Sequence, residues 1–412
     1  MPEDDMYETN SLENGFPNKD DLLDESVAYD KLLDDELTSD DILADTLLSN
    51  DELLESSLRA YQNDQISVPD LMEQLISSPE DPDIHALMGF SDLSRADIAL
   101  IRKMWPSVPA DRRRLVVTEL VDFAQHDISY HLVRFLQLML NDEDPIVRAA
   151  AVNGLWDDVA PELASEFLHL LQHDPDDSVR AAAAQMLGSY ILAGELDELD
   201  SSYAMRIEQA LLAIIHNLQE PVEIRARSLE SVAFSSEVGV RQLIEDAYYS
   251  AEEEMRISSL VSMGRSADVR WRGLVRAELQ NPSRTMRTQA AIATGELENR
   301  DALSDLILLL EDRSQSVRLG AIFALGRIGG KEATNALEFV SSHEDAPDEE
   351  IEAARFAMEE MAYYANPDSV SLLDESEAVE DNLHIQPWDD WATDLDFGFY
   401  EDDDSDDDDD FA

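Results

Sequence analysis

Three places in the chain bring together residue types that could do chemistry. His169 and His173 stand four apart with Asp174 beside them, a spacing that sets two imidazoles on one helix face within reach of a metal ion. The run Gly326-Arg327-Ile328-Gly329-Gly330-Lys331 approaches a phosphate-binding loop, in which backbone amides and a lysine cradle an anion. Arg112, Arg113 and Arg114, near Trp105, are the one basic cluster, of the kind that meets nucleic-acid phosphates.

Each has a plainer reading, and the plainer reading wins. A histidine pair at the end of a helix complements the negative end of the helix dipole. In the glycine run the Gly-to-Lys spacing is one residue short and Glu332 stands where a hydroxyl is needed. A helix rather than a strand precedes it, so it reads as a turn between helices. The basic cluster sits in a chain with 92 acidic and 29 basic residues, a formal net charge of −63, which repels a polyanion. The absence of cysteine excludes disulfides, thiolate zinc sites and cysteine nucleophiles together. The sequence therefore supplies no catalytic residue, no metal site, no cofactor site and no direct nucleic-acid contact, and it reads as a non-enzyme.

The elements that carry these residues announce themselves by repetition. Arg148, Arg180, Arg225, Arg256, Arg287 and Arg318 each follow an apolar residue, at steps of 32, 45, 31, 31 and 31, and Glu352 takes the arginine position 34 residues later. Periods of this length belong to stacked helix pairs. Three positions after each arginine stands a small residue (Ala151, Ala183, Ser228, Ser259, Ala290, Ala321), and an apolar one follows it. These share one helix face. Eight positions after come Gly188, Gly264, Gly295 and Gly326, which suit either close helix approach or a helix end. The helix before each arginine carries a longer apolar stripe, as at Leu303, Leu306, Ile307, Leu309 and Leu310. Asp, Pro, Ser and Glu clusters break one helix and cap the next.

Asp177-Ser178-Val179-Arg180-Ala181-Ala182-Ala183-Ala184 resembles the HEAT-like repeats of the phycobilisome-lyase type, whose units carry an acidic turn, Val-Arg and a run of alanines. The resemblance covers about residues 93 to 365. It implies a right-handed, all-α solenoid of about seven or eight HEAT-like hairpins. The weakest unit pairs Ser94 to Trp105 with Arg112 to Ala124. It also implies that the six arginines form a ladder between repeats, interrupted where Ser283 and Arg284 replace the acidic turn and where Glu352 replaces the arginine. No catalytic residue of bilin lyases can be carried over. Deoxyhypusine hydroxylase, which resembles the same architecture, needs several His-Glu pairs for iron, and only His343-Glu344 fits.

Charge divides the rest of the chain. Residues 1–90 hold 25 acids and three bases, and residues 366–412 hold 19 acids and no base. Such ends bury too little apolar surface to offset chain entropy, so both termini are expected to be disordered. The organisation is then an acidic leader with di-leucine repeats at 1–66, a short helix and linker at 67–92, the solenoid at 93–365 and an acidic-aromatic tail at 366–412. The leucine pairs fit either a solvated, weakly helical leader or a segment that docks in a groove. In the tail Trp388, Trp391, Phe397, Phe399 and Tyr400 are candidate docking anchors, for a partner or for the protein's own groove. Gly194 to Ser202, the insertion inside the 45-residue step, is expected to project as an acidic loop. Glu349, Glu350, Glu352, Glu359 and Glu360 are expected to give the last unit a polar outer side.

With no apolar run long enough for a signal or a membrane span, the chain reads as cytoplasmic. The function expected is a non-catalytic scaffold, adaptor or assembly factor that binds a protein partner, basic ones included, on the solenoid face, with acidic arms tuning access. The alternatives are a polyanion-mimic chaperone for basic proteins and a bilin-lyase-like enzyme subunit.

Overall fold

The computed structural model of the chain describes residues 66–78, 82–126, 131–156, 159–343 and 346–365. Every described helix belongs to the unit Ser67–Ala412. Two helices come first, α1 (Val68–Ser77) and the short α2 (Ile84–Leu87). Eight helical pairs follow in chain order: α3 (Arg95–Met104) with α4 (Ala110–His126), α5 (Val133–Met139) with α6 (Pro145–Asn153), α7 (Pro161–His173) with α8 (Asp177–Glu195), and α9 (Ser201–His216) with α10 (Val222–Val232). The series continues with α11 (Val238–Tyr248) and α12 (Glu253–Arg265), α13 (Arg272–Glu278) and α14 (Arg284–Glu296), α15 (Leu303–Leu309) and α16 (Gln315–Ile328), and α17 (Lys331–Ser342) and α18 (Asp348–Ala365). No strand occurs among the described residues.

The turn clusters start the second helices as capping chemistry dictates. Asp144 and Asp176 accept from the amides of Ile146 and Ser178, satisfying donors that the first turns of α6 and α8 leave open. Pro145 and Pro161 occupy first helical positions, where the missing N–H is not needed. Between α16 and α17, Gly329 and Gly330 take φ of 66° and 93°, so the lysine-bearing glycine run is a turn between pairs that only glycine adopts cheaply.

From α4 to α18 each second helix packs against the next second helix, while the first helices touch one another in only some units. Small residues permit the close stacking. A Cβ on Gly295 would lie 2.7 Å from Ala324 Cα, and one on Gly326 would lie 2.9 Å from Ala357 Cβ. The glycines eight positions after the arginines thus serve close approach, not helix termination. Val147, Val152, Val179, Leu187, Ile224 and Leu229 are buried and share one face of their second helices, a face that is apolar apart from Thr294 at the position equivalent to Leu187. At 100° per residue the opposite face falls two and five positions after the arginine. Along that face Asn153, Gln185 and Glu230 give way to Val261, Ile292 and Phe323.

Three details depart from the sequence expectation. Residues 82–92 are not a free linker: Leu87, Met88 and Phe90 are buried, and Phe90 stacks on Phe135 at 4.4 Å with the Trp105 ring edge-on to both. The stretch, together with α1, closes over the first pair. The insertion does not project as a loop, because it lengthens α8 and α9 and leaves only a tight turn at 196–200, with Asp197 at φ 63°. In α18 Glu349, Glu352 and Glu359 of the expected polar side are exposed, but Glu350 is buried and Glu360 half-buried. Glu349, Glu350 and Glu360 reach back to Gln315, Arg318 and Arg327 of α16.

Candidate functional site

Three of the repeated arginines, Arg148, Arg287 and Arg318, share one geometry. Each lies in the first turns of a second helix and turns one guanidinium edge back on its own turn: Nη1 of Arg148 donates to Asp142 O, that of Arg287 to Asn281 O and Pro282 O, and that of Arg318 to Asp312 O and Arg313 O. The other edge, Nε and Nη2, grips a carboxylate of the following turn. Arg148 holds Asp174 at 2.8 Å and 2.8 Å, and Arg287 holds Asp312 at 2.9 Å and 3.0 Å. Both Arg318 nitrogens meet Glu350 Oε1, at 3.0 Å and 2.6 Å. Arg180 and Arg225 are turned differently: Nε donates to a carbonyl, Leu171 O and Glu220 O, and Nη2 alone reaches the acid, Glu220 at 2.6 Å from Arg180 and both Glu252 oxygens from Arg225.

The acids are themselves pre-set. Asp142, Asp174 and Asp312 accept the amide two residues on, which fixes the carboxylate toward the incoming guanidinium. Hydrogen bonding to Asp174 raises the Arg148 guanidinium above its usual value, and Glu350 does the same for Arg318. Burial would raise the Asp312 carboxyl, but the Arg287 hydrogen bond and the Ser314 amide outweigh it and hold the acid below its usual value. Charge-assisted, two-point bonds of this kind fix orientation as well as distance.

Arg256 differs from the other five. Its Nη1 donates to Ser250 O and Ala251 O at 3.0 Å and 3.2 Å, but Asn281 stands where the next carboxylate would be. Asn281 bonds instead to the Ser283 amide and to Glu278, and Glu278 takes the Tyr248 hydroxyl.

Two features of the array lay outside the sequence reading. The basic cluster is an earlier rung: Arg113 meets Asp142 at 3.0 Å and Glu143 at 2.7 Å, and Arg114 meets Asp144. Trp105 Nε1 donates to the same Asp142 at 2.6 Å, while Arg112 caps α1 through Leu75 O and Ser78 O. Near the far ends of the second helices a second row alternates in sign, through Arg265, Glu296, Arg327 and Glu360 at steps of 31, 31 and 33. Arg265 lies over the Phe234 ring and 3.9 Å from Glu230, and Arg327 lies 3.9 Å from Glu360. The periodic offset was legible, but only by asking for alternating charge instead of a repeated residue.

The histidine pair is also engaged within its helix. The two rings stack at 4.8 Å and His173 Nδ1 faces His169 O at 3.1 Å. No group of three or more metal-ligating side chains occurs among the described residues. On the free face of the second helices, burial pushes the Glu223 and Glu254 carboxyls up, against the pull of Arg227. The tail residues Trp388, Trp391, Phe397, Phe399 and Tyr400, the leader's leucine pairs and Glu344 lie outside the described residues. No described helix is long and apolar enough to cross a membrane.

The HEAT-repeat family description matches residues 132–218 and 274–359. No curated protein matches the chain. Among solved structures the chain is similar to importin beta (14% identity, 74% of this chain and 48% of that one, TM-score 0.37). It is also similar to a designed armadillo repeat protein in complex with the peptide (KR)4 (18% identity, 50% and 100%, TM-score 0.33). Human deoxyhypusine hydroxylase in complex with glycerol is a third (13% identity, 75% and 99%, TM-score 0.30). HEAT repeats are thus matched in residues 132–218 and 274–359, at two places along the continuous row of second helices.

Proposed function

We propose that the protein is a non-catalytic scaffold, an adaptor or assembly factor that binds a protein partner on the free face of its second helices. The observation that carries this reading is how the polar groups are used. The basic cluster, the histidine pair and five of the six repeated arginines are spent on bonds that join one helical pair to the next or close a helix end, Arg256 being the exception. What varies from unit to unit is the face turned away from the first helices: Asn153 is exposed and Gln185 and Val261 are half-buried, whereas Glu230, Ile292 and Phe323 are buried between neighbouring units. A rigid row with a graded face is suited to an extended segment of another protein. The acidic ends tune access to that face.

A second reading, a chaperone for basic proteins, is favoured by the charge of the ends, where 19 acids stand without a base in residues 366–412. The two separate by salt, because exposed charges are screened within about 8 Å at physiological ionic strength. Capture of partners by the full chain at low and high salt, repeated with Asn153→Arg/Gln185→Arg, tests them. A partner that survives salt and is lost with the double variant supports the scaffold, and one that is lost with salt alone supports the polyanion.

A further inference from the structure

We propose that the unmatched edge of Arg256 is a carboxylate-binding site, a rung of the ladder left for an aspartate or glutamate side chain from another segment. Arg256 is anchored like Arg287 and Arg318, with Nη1 on two carbonyls of its own turn. In Arg148 and Arg287 this anchoring aims Nε and Nη2 at an aspartate of the following turn. For Arg256 that turn is Asn281-Pro282-Ser283, and among the described residues those two edge nitrogens meet no carboxylate. Asn281 cannot take the part. Its oxygen accepts the Ser283 amide, as Asp312 accepts that of Ser314, and its amide nitrogen, a donor, stands where the other turns offer a second acceptor.

Two further features make the place receptive to an anion. The N-terminus of α14 opens there with no side-chain cap, and Arg284, exposed, adds a charge. A carboxylate in the vacant position would receive the two parallel N–H bonds that Asp312 receives from Arg287. Glu278, the acid that Asn281 meets, is already held by Tyr248 and Asn281.

The source of the carboxylate is either another polypeptide or the chain's own residues 401–410, where Ser405 is the one non-acidic residue. The test titrates a fluorescein-labelled oligo-aspartate peptide into the full chain at low ionic strength, reading anisotropy. The same titration is made with R256Q, with N281D, which fills the rung from within, and with A277E, which adds an equal charge to the neighbouring α13. Every variant is checked by its melting curve, and N281D is expected to melt no lower than the parent. Binding that weakens at least about tenfold in R256Q and N281D, but within about twofold in A277E, supports the site with an external carboxylate. The same pattern, seen only after Asp402–Asp404 and Asp406–Asp410 are changed to asparagine, supports it with the chain's own end as occupant. No binding to either form, or binding that N281D leaves unchanged, overturns it.

Discussion

Arg287 grips Asp312 through Nε and Nη2 at 2.9 Å and 3.0 Å while its remaining nitrogen holds the backbone of its own turn. One side chain thus fixes a turn and ties it to the next pair. Both partners are largely buried, with side-chain exposures of 17% and 12%. Changing Asp312 to Asn leaves the Arg287 guanidinium short of its counter-charge. The expected loss is about 3 kcal/mol, below the cost for a fully buried pair because some water reaches this one. Chemical denaturation of the full chain measures it, and a loss well under 1 kcal/mol would mean that the rungs are ornamental.

The first rung should be as sensitive. Asp142 serves both Arg113, whose side chain is 5% exposed, and the Trp105 indole. Asp142→Asn removes the buried one of the two charges that offset this guanidinium and leaves only the exposed Glu143, at an expected cost of about 3 kcal/mol. Because Trp105 sits in the Phe90 and Phe135 cluster, its fluorescence should change in the folded state. An unaltered emission spectrum and an unaltered midpoint would contradict the arrangement.

Two glycines predict opposite outcomes. In Gly295→Ala the new methyl would come within 2.7 Å of Ala324 Cα and force α14 and α16 apart, at about 1–3 kcal/mol. In Gly273→Ala the methyl meets nothing within 4 Å, and α13 should gain about 0.5 kcal/mol from lower chain entropy in the unfolded state. Thermal melting of the pair separates close packing from helix propensity.

Stability should pass through a maximum in mild acid. Glu223 and Glu254 have folded values raised above their ordinary 4.5 by burial, so the folded state takes up protons first and stability rises as pH falls through those raised values. Asp144, pulled down by its bond to Arg114, and Asp312 lie below their ordinary 3.8. Their contribution is present above 3.8 and is lost as pH falls through the lower folded values. Denaturation midpoints across this range should rise and then fall, and Glu223→Gln/Glu254→Gln should remove the rise while leaving the fall.

The sequence carried the periodic part of this architecture because each unit repeats the same problem. A second helix must stack closely, so small residues and glycine recur, and each turn must be tied to the next, so arginine and an acid recur. The first rung was hidden because Arg113 sits within a run of three arginines, which reads as a patch. The packing of Leu87, Met88 and Phe90 was hidden for another reason: no local pattern marks them, and only the distant rings of Trp105 and Phe135 give them a core. Glu350 likewise reads as surface charge until Arg318, on the preceding second helix, is placed opposite it.

The proposal that the free face of the second helices binds a protein is tested most directly by face-specific substitution. Asn153→Arg/Gln185→Arg alters that face, and Leu308→Arg/Phe339→Arg alters two side chains of the first helices that are 70% and 66% exposed. Capture is made with the full chain and both double variants at high salt, with partners quantified by mass spectrometry. The account predicts a partner retained by the parent and by the first-helix variant and lost with Asn153→Arg/Gln185→Arg. A partner that ignores that variant, or that is lost only with Leu308→Arg/Phe339→Arg, would contradict it.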